Sequence, residues 1–314
     1  MRKLFVYQIN KQFSVEIMWL QKVVLLLIFG FSVQSNAESK ELIDVPVLIA
    51  EDVKLHLQRL SKQTDILAIS DFSNLPQGRD LVDVILLNQA LHLGKCQCRL
   101  VYFDNSVYGR NIELLKSGKY ALSADTLWLS DITSHPNTLL SSQAVIRNGE
   151  YDVGLYTSVN NERALKAQNK DDVSRLTAIS NRFWSADWQA INQLNPIKLA
   201  HIESFPNMKR LVKSEIADFT LLHFRINDND LSFEQLTPIP NVKAVLWDSR
   251  HFAISTQFPN YQHIADALNK GLKQLHKQNK ISSAYLAVGI NHPFTSDWKI
   301  LNASDAPNYE IHSP

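Results

Sequence analysis

Short apolar runs of strand length alternate with stretches of helical spacing along most of this chain, which restricts it to α/β architectures. Residues 45–50 (VPVLIA) read as a strand. After the turn Pro76-Gln77-Gly78, Leu81, Ile85 and Leu86 recur at helical spacing over residues 80–93, and Gly94 ends that helix. Residues 100–103 read as a strand, 111–116 as a helix stopped by Gly118, and 120–124 as a strand again. Strands are expected at 150–157, 176–180, 197–202, 218–224 and 252–255. A helix marked by Met208, Leu211 and Val212 opens at Ser204 and Pro206. Ile264, Leu268, Leu272 and Leu275 form one apolar stripe on a later helix. Residues after Asn291 read as a polar tail. The alternation predicts parallel sheets built from βαβ units.

At 314 residues, 45% of them hydrophobic, the chain has material for about two domains. Its 32 basic and 31 acidic residues give a net charge of +1, which offers phosphate no clustered cationic surface and excludes general nucleic-acid binding. Residues 23–33 (VVLLLIFGFSV) form an apolar run of 11, short of the roughly 20 needed to span a bilayer as a helix. Lys22 precedes it, and Ser35-Asn36-Ala37 follows with small residues at the two positions that a signal peptidase reads. A secretory signal peptide over 1–37 is therefore expected, cleaved after Ala37, with Met1 and Met18 both available as starts. The product is expected in the periplasm, with no stable membrane insertion. It keeps 28 basic and 30 acidic residues.

Most catalytic signatures are excluded by counting. No Gly-x-Gly occurs among the nine glycines, so the dinucleotide fingerprint is absent. Gly149 and Gly154 have P-loop spacing, but Leu155-Tyr156 stands where phosphate and magnesium would be held. No Gly-x-Ser-x-Gly elbow is present. The ten histidines are never closer than 12 positions, and Cys96-Gln97-Cys98 has no second ligand pair, so no metal and no cofactor is expected. The two cysteines fit either a tight disulfide in an oxidising compartment or two half-buried thiols.

Four blocks carry a family resemblance. The first runs from Arg110 through Gly118 to Asp125, a helix with leucines, a glycine, a strand and an aspartate. The second runs from Asp172-Val173 through the strand at 176–180 to Trp184 and Trp188. Met208 to Asp218-Phe219 is the third, and His251 to Ser255 with Pro259, Leu268, Gly271 and Leu272 is the fourth. In this order they resemble bacterial family 3 extracellular solute-binding proteins, over about residues 44–290. The Thr-x-x-Glu-Arg run with which that family grips an amino acid's carboxylate does not follow Asp125; Asn161-Glu162-Arg163 is its nearest likeness and comes later.

The resemblance implies the type II periplasmic binding protein fold, two Rossmann-like α/β lobes joined by two strands. Residues 38–152 with 250–314 would form one lobe and 153–249 the other. Such a protein would be a non-enzymatic monomer that closes on an amino acid, peptide or organic ion and presents itself to an inner-membrane permease of an ABC transporter, or to a membrane sensor. Ligands of open α/β sheets bind beyond the carboxyl ends of strands. That geometry marks Asp125 and Trp128, Trp184 and Asp187, Ser204 and Phe205, and His223 and Phe224. Arg110, opening a helix, and Arg250, preceding the return strand, complete the set. Asp218 is expected to satisfy backbone donors beside its strand.

Export with cleavage after Ala37 is the expected outcome. Amino-terminal sequencing of protein from a periplasmic fraction should begin at Glu38, and a membrane-bound product that retains residues 23–33 would overturn the assignment.

Overall fold

The computed structural model describes residues 42–305, apart from 74, 76, 77, 106 and 225–233. The expected leader at 1–37 lies outside the described residues, as do Pro76 and Gln77. The chain runs β1 (Ile43–Ile49), α1 (Glu51–Ser61), α2 (Arg79–Leu93), β2 (Cys98–Asp104), α3 (Tyr108–Lys116), β3 (Leu122–Ser123), β4 (Leu127–Trp128), α4 (Leu129–Thr133) and β5 (Leu139–Ser141). Next come β6 (Asp152–Ser158), α5 (Glu162–Leu165), α6 (Lys170–Val173), β7 (Thr177–Ser180), α7 (Ser185–Leu194), β8 (Lys198–His201), α8 (Phe205–Lys213) and β9 (Thr220–Leu222). After these follow β10 (Leu236–Val245), β11 (Arg250–His251), β12 (Ala253–Ser255), α9 (Tyr261–Lys277), α10 (Lys280–Ala287) and β13 (Lys299–Ile300).

Two main sheets result. One has the order β2-β1-β3-β12-β5, the other β13-β10-β6-β9. In β1, Val45, Val47 and Ile49 enter one apolar cluster while Leu48 enters another with Leu115 and Leu127. Successive side chains of a strand point to opposite faces, so this strand is buried on both, as its continuous apolar run requires.

The sheets are mixed, not parallel throughout. β1 pairs parallel with β2 and β3, and β7 with β8. β12 pairs antiparallel with β3 and β5, and β6 antiparallel with β9 and β10. The reason is topological. The chain leaves the first sheet before β6 and returns to it after β10, so the outgoing and returning strands run in opposite directions and pair side by side.

A buried ion pair joins those two strands. Lys243 Nζ lies 2.9 Å from Asp152 Oδ2, with the side chains 8% and 5% exposed. The backbone amide of Asn291 donates to the other Asp152 oxygen at 2.8 Å. The stretch after Asn291 is thus not a free polar tail. β13 pairs with β10 on the second sheet, and the fully buried Asn302 bonds both the amide and the carbonyl of Val245, at 2.9 and 2.8 Å. Asp218 has the structural role expected of it. It accepts from the Thr177 amide at 2.7 Å and from Asn161 at 3.0 Å, and Arg163 pairs with it at 2.5 Å. Cys96 and Cys98 form a disulfide at the start of β2.

Helices α2 and α9 cover the first sheet and touch through their glycines. A Cβ on Gly271 would lie 1.8 Å from the carbonyl oxygen of Ala90, and one on Gly94 1.8 Å from that of Ala267. The apolar stripe of α9 can therefore reach the core only because neither position carries a side chain. Gly271→Ala should lower unfolding stability by about 1–3 kcal/mol through overpacking, despite alanine's better helix propensity. Urea denaturation of the folded variant checks this; a gain in stability would show that the helices can separate without cost.

Candidate functional site

A cavity of about 650 Å³ is walled by elements of both sheets. On one side stand Ala50 after β1, Asp52 of α1, the opening of α2 (Gly78, Arg79, Asp80), Tyr108 of α3 and Trp128 of β4. On the other stand Val153, Leu221 and Leu222 of the second sheet with Trp184, Asp187 and Phe205 at the starts of α7 and α8, and the crossing segments add Tyr151, Leu246 and Arg250. The volume is of the order that small-molecule sites occupy.

A polar knot holds the first side of this wall. Asp83, fully buried on α2, accepts from Arg79 Nη1 at 3.0 Å and from the Thr126 amide and hydroxyl at 2.9 and 2.8 Å. Its other oxygen accepts from the Tyr285 hydroxyl of α10 at 2.6 Å. Arg79 also pairs with Asp80. Burial opposes the charge on Arg79, and Asp80 and Asp83 more than offset that, so it stays a cation. Thr126 passes the network on: its hydroxyl accepts from Arg250 Nε at 2.8 Å, and its carbonyl accepts from Arg250 Nη2.

Strand β11 brings Arg250 beside Trp128 of β4, since these residues are register partners in an antiparallel pair. The guanidinium carbon sits 4.4 Å from the centre of the Trp128 ring, a cation–π contact, and Tyr151 packs on the same indole at 5.5 Å between ring centres. Tyr108 closes the near edge. Its hydroxyl accepts from the Trp128 amide at 3.0 Å and donates to Asp131 at 2.6 Å. Ser185, opening α7 on the other side, reaches the same Asp131 at 3.3 Å.

Two carboxyls in this region are held toward neutrality. Burial pushes Asp187 up to about 6, against the pull of Arg250. Burial and the neighbouring Asp80 push Asp125 up to about 8, with Arg79 and Arg250 acting in the other direction. Asp125 Oδ1 is buried and has no hydrogen-bond partner among the described residues.

Of the residues singled out in the sequence, Trp128, Trp184, Asp187, Phe205, His223 and Arg250 line the cavity. Trp128 does so from β4, which pairs with β11, and Trp184 from the turn before α7. Asp125 stands behind the wall, within electrostatic reach of both arginines. Arg110 is exposed on α3 and Ser204 immediately precedes α8 without a capping hydrogen bond from its side chain; neither lines the cavity. Phe224 is fully buried in the second-sheet core against Tyr156 and Trp298, and is a packing residue. Arg163, the likeness of the missing carboxylate grip, is spent on Asp218.

Sequence reading missed Arg79, Asp80, Asp83, Tyr108 and Tyr151. Two signals were available. A cation in the first turn of α2 opposes the helix dipole and so needs a partner. Asp83 interrupts the apolar run LVDVILL, where a buried carboxylate must be bonded.

No family model matches the chain, and no curated protein matches it. Solved structures do. The probable amino-acid ABC transporter extracellular-binding protein ytmK of Bacillus subtilis aligns with a TM-score of 0.55 and 15% identity, over 78% of this chain and 97% of that one. The amino-acid ABC transporter substrate-binding protein AbpA of Streptococcus pneumoniae, bound to L-arginine, aligns at 0.50 and 13% identity, over 82% and 96%. The periplasmic VFT2 domain of Bordetella pertussis BvgS aligns at 0.50 and 14%, over 78% and 92%. At such identities the likeness establishes the fold: this is the type II periplasmic-binding fold expected from the sequence.

The sign of the Asp125 shift fixes a pH dependence. Its folded value lies above the ordinary 3.8, so its contribution to stability is fully present below that value and is lost as pH rises through about 8. Asp125→Asn, neutral throughout, should melt progressively higher than the natural protein as pH goes from about 5 to about 9. A difference in melting temperature that stays constant across that window would place the proton elsewhere.

Proposed function

We propose that this protein, a chain of the type II periplasmic-binding fold, is an exported solute-binding protein that closes two α/β lobes on a small polar ligand and catalyses no reaction. One lobe is built on the five-stranded sheet, the other on the four-stranded sheet, with the cavity between them. The observation that carries this reading is the composition of the cavity wall, drawn from both sheets and from the two crossing segments. A ligand touching both sides gains contacts only when the sides approach, so its binding energy drives closure. The aromatic walls supply apolar area, and a few polar groups set orientation.

Several observations support the compartment and partner. The sequence carries a leader pattern at 1–37. The Cys96–Cys98 disulfide suits an oxidising space. Among the described residues no helix is long and apolar enough to cross a membrane. The likeness to ytmK and AbpA, both named as binding proteins of amino-acid ABC transporters, favours delivery to an inner-membrane permease. The likeness to the periplasmic VFT2 domain of BvgS favours a second reading, in which the closed form is presented to a membrane sensor.

Ligand-driven closure is measurable. A ligand found by thermal-shift screening against amino acids, peptides, sugars and organic ions should change indole emission, because Trp128 and Trp184 flank the cavity, and should shrink the radius of gyration by X-ray scattering. Trp184→Ala should weaken that ligand by about 1–3 kcal/mol, the loss of a large buried side chain. Full affinity in the folded variant, with emission and radius unchanged on binding, would overturn closure in this cleft.

A further inference from the structure

A disulfide stabilises a fold in proportion to the chain it closes, and the bond between Cys96 and Cys98 closes almost none, its residues being 2 positions apart. Other bonds hold the backbone there. The Cys96 amide donates to the Leu91 carbonyl at 2.9 Å, and the Ile43 amide donates to the Gln97 carbonyl at 3.0 Å. From Cys98 onward, β2 is paired along its whole length with β1. What a disulfide contributes to folding is, by linkage, what folding contributes to the disulfide, so the fold hardly protects this bond from reduction.

The pair is also within reach of solvent. Strand β2 is an edge of its sheet, both cysteines are half-buried against the apolar core, and Gln97 between them is exposed. They are the only cysteines of the chain, so no third thiol of the protein competes for either. A cation flanks each one. Lys95 is exposed and has no ion-pair partner among the described residues, and Arg99 is exposed and paired with Asp44. No acidic residue occurs in the sequence between Asp83 and Asp104. A cation beside a sulfur stabilises the thiolate that leaves when the bond opens, and it draws in a thiol that carries negative charge.

We propose that Cys96 and Cys98 form a thiol-exchange site for small anionic thiols, apart from the cleft, whose wall includes neither cysteine. The thiolate of one incoming molecule attacks a cysteine sulfur. A mixed disulfide forms, the bond between the cysteines breaks, and the other cysteine departs as a thiolate beside its cation. A second thiolate then attacks the small-molecule sulfur of the mixed disulfide and releases the second cysteine. Two small thiols are oxidised to one disulfide, the protein gains two electrons, and the protons that the thiols give up end on the cysteines. Half-burial of both residues favours a small molecule over a protein thiol, and Lys95 favours an acid over an amine.

Three thiols of similar size decide the matter: 3-mercaptopropionate carries a negative charge, 2-mercaptoethanol none and cysteamine a positive one. The oxidised full chain is incubated with each, quenched with N-ethylmaleimide and analysed by mass spectrometry. Excess 3-mercaptopropionate at neutral pH and low salt should reduce the bond completely while circular dichroism stays unchanged. The reduction equilibrium should lie within about tenfold of that of the oxidised peptide Lys-Cys-Gln-Cys-Arg. Rates expressed per thiolate should fall from acid to alcohol to amine by about tenfold in all, and Lys95→Glu, at an exposed position, should abolish that order. Resistance about a hundredfold beyond the peptide, or loss of the fold on reduction, would make the bond a structural staple and overturn the proposal. So would rates indifferent to the charge of the thiol, or reduction by a dithiol protein such as thioredoxin where the small thiols fail.

Discussion

Asp83 is the constraint on which the geometry of the site depends. A fully buried carboxylate is tolerable only when its lone pairs are filled, and here four bonds from three parts of the chain fill them: Arg79, the Thr126 amide and hydroxyl, and the Tyr285 hydroxyl. Those partners lie on α2, on the corner between β3 and β4, and on α10. Thr126 is the joint, since its hydroxyl donates to Asp83 while accepting from both Arg79 and Arg250. Removing the carboxylate would leave the Thr126 amide and the Tyr285 phenol unpaired in the core and Arg79 with Asp80 as its one carboxylate partner, a larger loss than any one of these bonds.

The second constraint is the return of the chain. Because β10 comes back beside β6, both crossings between the sheets lie side by side, pinned by Lys243 and Asp152. The segment that follows the return carries Arg250, and its pairing with β4 lays that side chain on Trp128. The Arg250–Trp128 contact is thus assembled by the crossing itself. Tyr151 immediately precedes β6 at the outgoing crossing, which is why it meets the same indole from the other direction. Residues almost a hundred positions apart come together because both crossings occupy one end of the cavity.

Much of the architecture was legible in the residues. The strands at 45–50, 100–103 and 252–255 and the helices at 80–93 and 264–275 show as apolar periodicity because each buries a face against the same core. The direction of pairing was not legible. Local pattern reports that a strand is buried, not which neighbour it meets, so an all-parallel expectation failed where the chain doubles back. The segment beyond Asn291 failed for a related reason. Its polar look hides Asn302, whose amide completes the edge of β10 and is polar because it replaces a backbone partner.

The same division runs through the site. The sequence alone determined the class of fold, the absence of nucleotide and nucleophile motifs, and the positions beyond strand ends where Trp128, Trp184, Asp187 and Phe205 meet the cavity. Strand ends are set by local pattern, and the cavity lies where they converge. Only the tertiary structure decided that Phe224 is core, that Arg163 is already paired and that Arg79 is held by Asp80 and Asp83. Whether a charge is free depends on partners distant in the chain, Asp218 for Arg163 and Asp83 for Arg79, and no local spacing encodes those distances.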